Sequence, residues 1–188
     1  MRTKIQKRRW FLLSVYCGVF LEIKIGFFPP DENVKFSAWF YRRESFTELA
    51  MNEIEKKINT NIPEILKKYT KIAVVGISDK PERDSYRIAK FMLLQGNTIY
   101  PVNPNCQEVL DLKCYSSLSE IPQPVELVDI FRKSEFVMPI VEEAIRIGAR
   151  AIWMQYGVID PAAARKALQA GLEVVMDRCW KQEYQNYF

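Results

Sequence analysis

No histidine occurs anywhere in the 188 residues. That absence removes imidazole from every role it could fill: general base, triad member, phosphoryl carrier or metal ligand. The four cysteines, Cys17, Cys106, Cys114 and Cys179, form no C-x-x-C pair and show no regular spacing. With no histidine and no paired cysteines a zinc site is not expected, and the thiols read as small hydrophobes in a reduced, cytoplasmic setting. Glycine is sparse, with seven in the chain. Neither G-x-G-x-x-G nor G-x-x-x-x-G-K-[ST] appears, so the usual dinucleotide and ATP-hydrolysis fingerprints are missing. The longest early apolar stretch, Trp10 to Leu21, lies between Arg9 and Glu22. It falls short of the roughly 20 residues a bilayer span requires, and no A-x-A cleavage site follows it. Stable membrane insertion is not expected.

Apolar content is ample, at 48% of residues, enough for one well-buried domain. The net charge of +4 is confined to one end. Residues 51–188 carry 18 Lys+Arg against 18 Asp+Glu, whereas residues 1–50 carry 9 against 5. Phosphate-backbone binding needs clustered positive charge, so the main domain is not expected to bind nucleic acid.

The chain changes character near Met51. Residues 1–50 hold 11 of the 24 aromatics and show no sustained helical or strand period. They read in three ways: a surface anchor or uncleaved signal, an extra element packed on the domain, or upstream sequence ahead of a start at Met51. The third is favoured, because Asn52 to Ile58 is polar and helix-forming, like a natural beginning. On that reading residues 1–50 pack poorly and carry no function, and residues 51–70 form an N-terminal helical segment.

From there strand and helix patterns alternate. Thr60 or Asn61 is placed to cap a short helix with Pro63 in its first turn. Lys71-Ile72-Ala73-Val74-Val75 is a continuous β-branched run, as in a strand buried on both faces. Ser85 to Gln95 has apolar residues at helical spacing and stops at Gly96. Further strands are expected at Thr98–Val102, Val125–Phe131, Ala151–Gln155 and Leu172–Met176. Helices are expected from Ser134, as the capping residue, towards Gly148 and over Pro161–Ala170, with a one-turn helix at Ser117–Ile121. The expectation is an α/β fold, doubly wound, with a mainly parallel five-stranded sheet and helices on both faces.

In such sheets ligands bind beyond the carboxyl ends of the strands, where the strand order reverses. After the first strand come Gly76, Ser78, Lys80, Arg83 and Ser85, with Arg87 one turn into the helix. Cations beside a helix start suit a ligand with several phosphates. The alternative is that Lys80 and Arg83 only solvate a loop and pair with Asp79, Glu82 or Asp84. After the second strand, Val102-Asn103-Pro104 holds a neutral residue where dinucleotide-binding folds place Asp or Glu. This corner suits the edge of an adenine or ribose, or is simply a rigid turn. Phe131-Arg132-Lys133 walls a pocket, or is core followed by solvated charge. Gln155, Tyr156 and Gly157 permit close backbone approach, or form a plain turn. Asp129 sits at a buried strand end, placed to cap a neighbouring loop or helix. Cys179 has no base beside it and reads as a structural thiol. No group of residues assembles into catalytic machinery.

The stretches IAVVGISDKPERDSYRIAKFML, YPVNPN, VELVDIFRKSE, AIWMQYGVID and GLEVVMDRC follow one another across residues 71–184. In that order they resemble the small single-domain CoA-binding proteins related to the CoA-binding domain of the succinyl-CoA synthetase alpha subunit. The resemblance implies a Rossmann-like CoA-binding domain over residues 71–188. It implies that Gly76, Ile77, Ser78, Lys80, Pro81, Arg83, Ser85 and Arg87 meet the phosphates and the start of the pantetheine. Val102, Asn103 and Pro104 would border the adenosine, Phe131 and Arg132 would close the pocket, and Gln155, Tyr156 and Gly157 would line the far side. The synthetase's second domain is missing, and without histidine there is no phosphohistidine intermediate. The function expected is non-catalytic, soluble binding of coenzyme A or acyl-CoA. The alternatives are an NAD(P)-linked oxidoreductase, which the missing glycines and neutral Asn103 disfavour, and a regulatory interaction module.

Overall fold

The computed structural model of the protein describes residues 55–188, so the expectations for residues 1–50 lie outside the described residues. Helix α1 (Ile62–Lys68) leads into β1 (Lys71–Val75), followed by α2 (Asp84–Leu94) and β2 (Thr98–Val102). A two-residue hairpin, β3 (Glu108–Val109) and β4 (Leu112–Lys113), precedes β5 (Leu127–Ile130). Then come α3 (Val137–Arg146), β6 (Ala151–Met154), α4 (Pro161–Gln169), β7 (Glu173–Val175) and α5 (Trp180–Tyr187).

The main sheet has five strands in the order β2-β1-β5-β6-β7, and all four pairings are parallel. This is the doubly wound Rossmann-like α/β architecture expected from the alternating pattern. Apart from Lys71 and Asp129, strands β1, β5 and β6 are apolar on both faces because both faces are covered. Ala73, Val75, Val128 and Ile130 point to one layer, which α3 and α4 close with Val137, Val141, Ala163 and Ala167. Ile72, Val74, Leu127 and Trp153 point to the other layer, closed by α1, α2 and α5. The period-2 alternation of a strand thus feeds two separate cores.

Several local details differ from the sequence reading. Ser134 does not cap a helix. It opens a single 3-10 turn (Ser134–Phe136), and its Oγ accepts a hydrogen bond from Ile159 N–H at 2.9 Å. Asn61 occupies the N-cap position of α1 without a side-chain cap. Thr60 Oγ1 donates instead to the Lys57 carbonyl. The expected strand Val125–Phe131 is shorter at both ends. The hairpin β3–β4 and helix α5 were not anticipated. Asp160 does cap α4, accepting from Ala163 N–H at 3.0 Å.

Candidate functional site

The strand order reverses between β1 and β5. From β1 the chain runs to α2 on one face, and from β5 it runs to α3 on the other. The two exits diverge and leave a crevice at the carboxyl edge. Gly76 stands where they touch. Its φ is +85°, and a Cβ there would lie 2.6 Å from the Phe131 carbonyl oxygen and 2.7 Å from Arg132 Cδ. The glycine is thus demanded by the neighbouring chain as well as by its own backbone.

Three clefts adjoin along this edge, of about 470, 530 and 270 Å³. Gly76, Ser78, Lys80, Arg83 and Ser85 line the first, with Phe131 as its wall. Phe131 continues into the second, lined also by Arg132, Gln155, Tyr156 and Gly157. Val102, Asn103, Pro104 and Arg132 line the third. Pro81 and Arg87 line none of the three. Arg87 is ion-paired to Asp84, which lines the first and second clefts.

The first loop is shaped by its own hydroxyls. Ser85 Oγ accepts from Ser78 N–H at 3.0 Å, and Ser78 Oγ accepts from Lys80 N–H at 3.2 Å. Each hydroxyl keeps its O–H as a donor. The N-terminus of α2 has no side-chain cap, so its first-turn N–H groups remain available to an anion. Lys80 and Arg83 are exposed, and among the described residues neither makes an ion pair. The pairing with Asp79, Glu82 or Asp84 weighed for them does not form; of these acids, Asp84 pairs with Arg87 instead. Arg132 and Lys133 add two further cations without ion pairs among the described residues, Arg132 lying 5.4 Å over the Phe136 ring.

Other predicted residues turn out to be occupied by the fold itself. The Ile77 side chain is fully buried in the α2-side core, so only its backbone can face the cleft. Asn103 Nδ2 donates to the Ile77 carbonyl at 2.7 Å, while Asn103 Oδ1 accepts from Asn105 N–H at 3.0 Å. This amide ties the β2 corner to the β1 loop, so the neutral residue after β2 has a structural task. Gln155 is buried. Its Nε2 donates to Asp129 Oδ1 at 2.8 Å and its Oε1 accepts from Trp180 N–H at 3.2 Å. Asp129 therefore caps nothing directly and reaches α5 only through Gln155. Burial lifts the Asp129 carboxyl to about 8, against a smaller opposing effect of the Gln155 bond. Burial thus favours its neutral, protonated form. Tyr156 is 80% exposed at the cleft rim. Gly157 has φ +78° and donates its N–H to Asp177 Oδ1 at 2.8 Å.

Sequence reasoning missed Ser116 and Ser117, which line the third cleft, and Gln182 on α5, which lines the second. Ser116 and Ser117 follow a hairpin too short to leave a periodic signal. Cys179, read as structural, also lines the second cleft and sits at the N-cap of α5.

Residues 70–185 match the family model described as the CoA binding domain. The chain belongs to this CoA-binding-domain family. Among family relatives, the uncharacterized protein YneT of Bacillus subtilis is 41% identical over 120 residues, covering 64% of this chain and 89% of its own. A hypothetical protein from Pyrococcus horikoshii has a solved structure with a TM-score of 0.66 and 46% identity. That match covers 67% of this chain and 89% of the other. The alpha subunit of the ADP-forming acetate–CoA ligase II of Pyrococcus furiosus is 35% identical over 82 residues, covering 43% of this chain. The match spans only 18% of that subunit, so the likeness to the ligase is to one domain of it. No helix among the described residues is long and apolar enough to cross a membrane.

Proposed function

We propose that the protein binds coenzyme A or an acyl-CoA in the crevice between the β1 and β5 exits, without a covalent step of its own. One observation carries this reading. Lys80, Arg83, Arg132 and Lys133 make no ion pair among the described residues, and they border clefts that meet at the uncapped N-terminus of α2. Such cations are a ready counter-charge for a ligand bearing several phosphates. Beside them the second cleft is walled by Phe131, Ile88 and Val158, a surface for a long neutral arm. Family membership supports the same ligand class.

Absence of catalysis is part of the proposal. With no histidine in the sequence, the chain has no phosphoryl carrier of that kind. Asp129, the one strongly shifted carboxyl among the described residues, is sealed from solvent. A thermal-shift panel of CoA, acetyl-CoA, NAD, NADP and ATP tests the reading, because a specific ligand raises Tm by mass action. CoA and acetyl-CoA are expected to stabilise the protein most. Stabilisation by NAD or NADP alone would favour an oxidoreductase, and no response to any of them would favour an interaction module.

A further inference from the structure

Strand β7 lies at one edge of the sheet, and its open side is closed by a residue that precedes α1. On the inner side, Glu173 N–H donates to the Arg150 carbonyl at 2.9 Å. Backbone direction alternates along a strand, so Val174 and Met176 turn their polar groups outward. Asn59 meets them there. Its backbone N–H donates to the Val174 carbonyl at 3.0 Å. Its Nδ2 donates to the Met176 carbonyl at 3.1 Å, and its Oδ1 accepts from Met176 N–H at 2.8 Å. The side-chain amide thus stands where a peptide unit of the next strand would be.

The neighbouring residues hold Asn59 in that position. Its φ of 63° is left-handed, a conformation asparagine tolerates better than most side chains. Ile58 packs on the α3-side core and donates its N–H to the Glu55 carbonyl at 3.0 Å. Glu55 is in turn ion-paired to Arg165 on α4. The opposite edge of the sheet is blunted by other means. Pro101 leaves β2 one donor short, and Tyr115 N–H donates to the Pro101 carbonyl at 2.9 Å. Covered edges of this kind are how folded sheets avoid pairing with other chains.

We propose that residues 55–60 are a strap that shuts the β7 edge against a second copy of the chain, with the Asn59 amide as its latch. A second copy is the occupant excluded because two β7 edges are self-complementary. About a twofold axis, the outward groups of Val174 and Met176 in one copy meet those of the other in antiparallel pairing. Such pairing closes at a dimer. Because β7 is separated by β6 from the β1–β5 crevice, the inference stands apart from the ligand reading.

The test is size exclusion with light scattering on the full chain, over a range of concentrations. Asn59→Gly accepts the left-handed backbone and removes the amide alone. Its mass is expected to rise with concentration towards a dimer, above that of the wild type run alongside. Adding Met176→Pro, which deletes an outward N–H, is expected to restore the wild-type value. Equal masses for Asn59→Gly and wild type, or association that survives Met176→Pro, would overturn the proposal. Hydrogen exchange on the wild type decides without relying on how the variants fold. The Met176 amide is expected to be protected by Asn59 Oδ1. Exchange there as fast as in an unstructured peptide would show that the strap is not seated, and would equally overturn it.

Discussion

Asp129 is the residue most out of keeping with its surroundings. It lies on a central strand between Val74 and Trp153, one carboxyl oxygen is bonded to Gln155, and the other has no partner. Burial moves it from the ordinary 3.8 to about 8. The folded state therefore keeps a proton that the unfolded chain releases above the ordinary value. Stability from this group is complete below about pH 4 and is lost progressively as pH rises towards 8. Asn at this position retains the acceptor for Gln155 and cannot ionise. Relative to Asp129→Asn, the wild-type Tm is expected to fall between pH 5 and pH 8.5, as measured by paired thermal melts. Parallel curves would show that the carboxyl does not titrate in this window. Gly76 makes a second residue-scale case. Alanine there costs roughly 1–2 kcal/mol for the left-handed backbone and about 1–3 kcal/mol more for crowding. Urea unfolding of Gly76→Ala should show that loss without any ligand present. The position therefore reports on the fold before it reports on binding.

At the scale of elements, the buried strands were readable because β-branched runs such as Ile72–Val75 have no other economical home than a covered parallel sheet. The strand-end rule then pointed at the carboxyl edge of that sheet, and most of the residues it named line the three clefts there. What was not readable depended on partners distant in sequence. Ser134 looks like a cap until Ile159 N–H, 25 residues away, takes its oxygen. Asn103 and Gln155 look free to meet a ligand until Ile77, Asp129 and Trp180 claim their amides. The hairpin strands are two residues each, too short for any period. Helix α5 did leave a trace in Trp180, Tyr184 and Phe188, spaced at i, i+4 and i+8 on one face. Trp180 is fully buried, stacks on Tyr184 with ring centroids 5.1 Å apart, and meets Phe91 edge-on. Trp180→Ala should cost about 3–5 kcal/mol, read as a lowered urea midpoint. A change within about 0.5 kcal/mol would mean that α5 is not part of the cooperative unit.

Across the whole molecule, charge is balanced over residues 51–188, yet four cations without ion pairs among the described residues gather at one edge of the sheet. Balanced totals with a local surplus favour a small multiply charged ligand over an extended polyanion. Lys80 and Arg83 are exposed and hold nothing together, so removing them should spare the fold. A charge-assisted hydrogen bond is worth about 1.5–3 kcal/mol, which makes their loss visible in affinity. The measurement that bears most directly on this account is calorimetric titration of coenzyme A into the wild-type chain and into Lys80→Ala/Arg83→Ala, at low and moderate salt. The account predicts saturable binding to the wild type, weakened by salt. It also predicts affinity reduced at least tenfold in the double variant, whose Tm without ligand is unchanged. No binding of coenzyme A to the wild type, or equal affinity in the double variant, would contradict it.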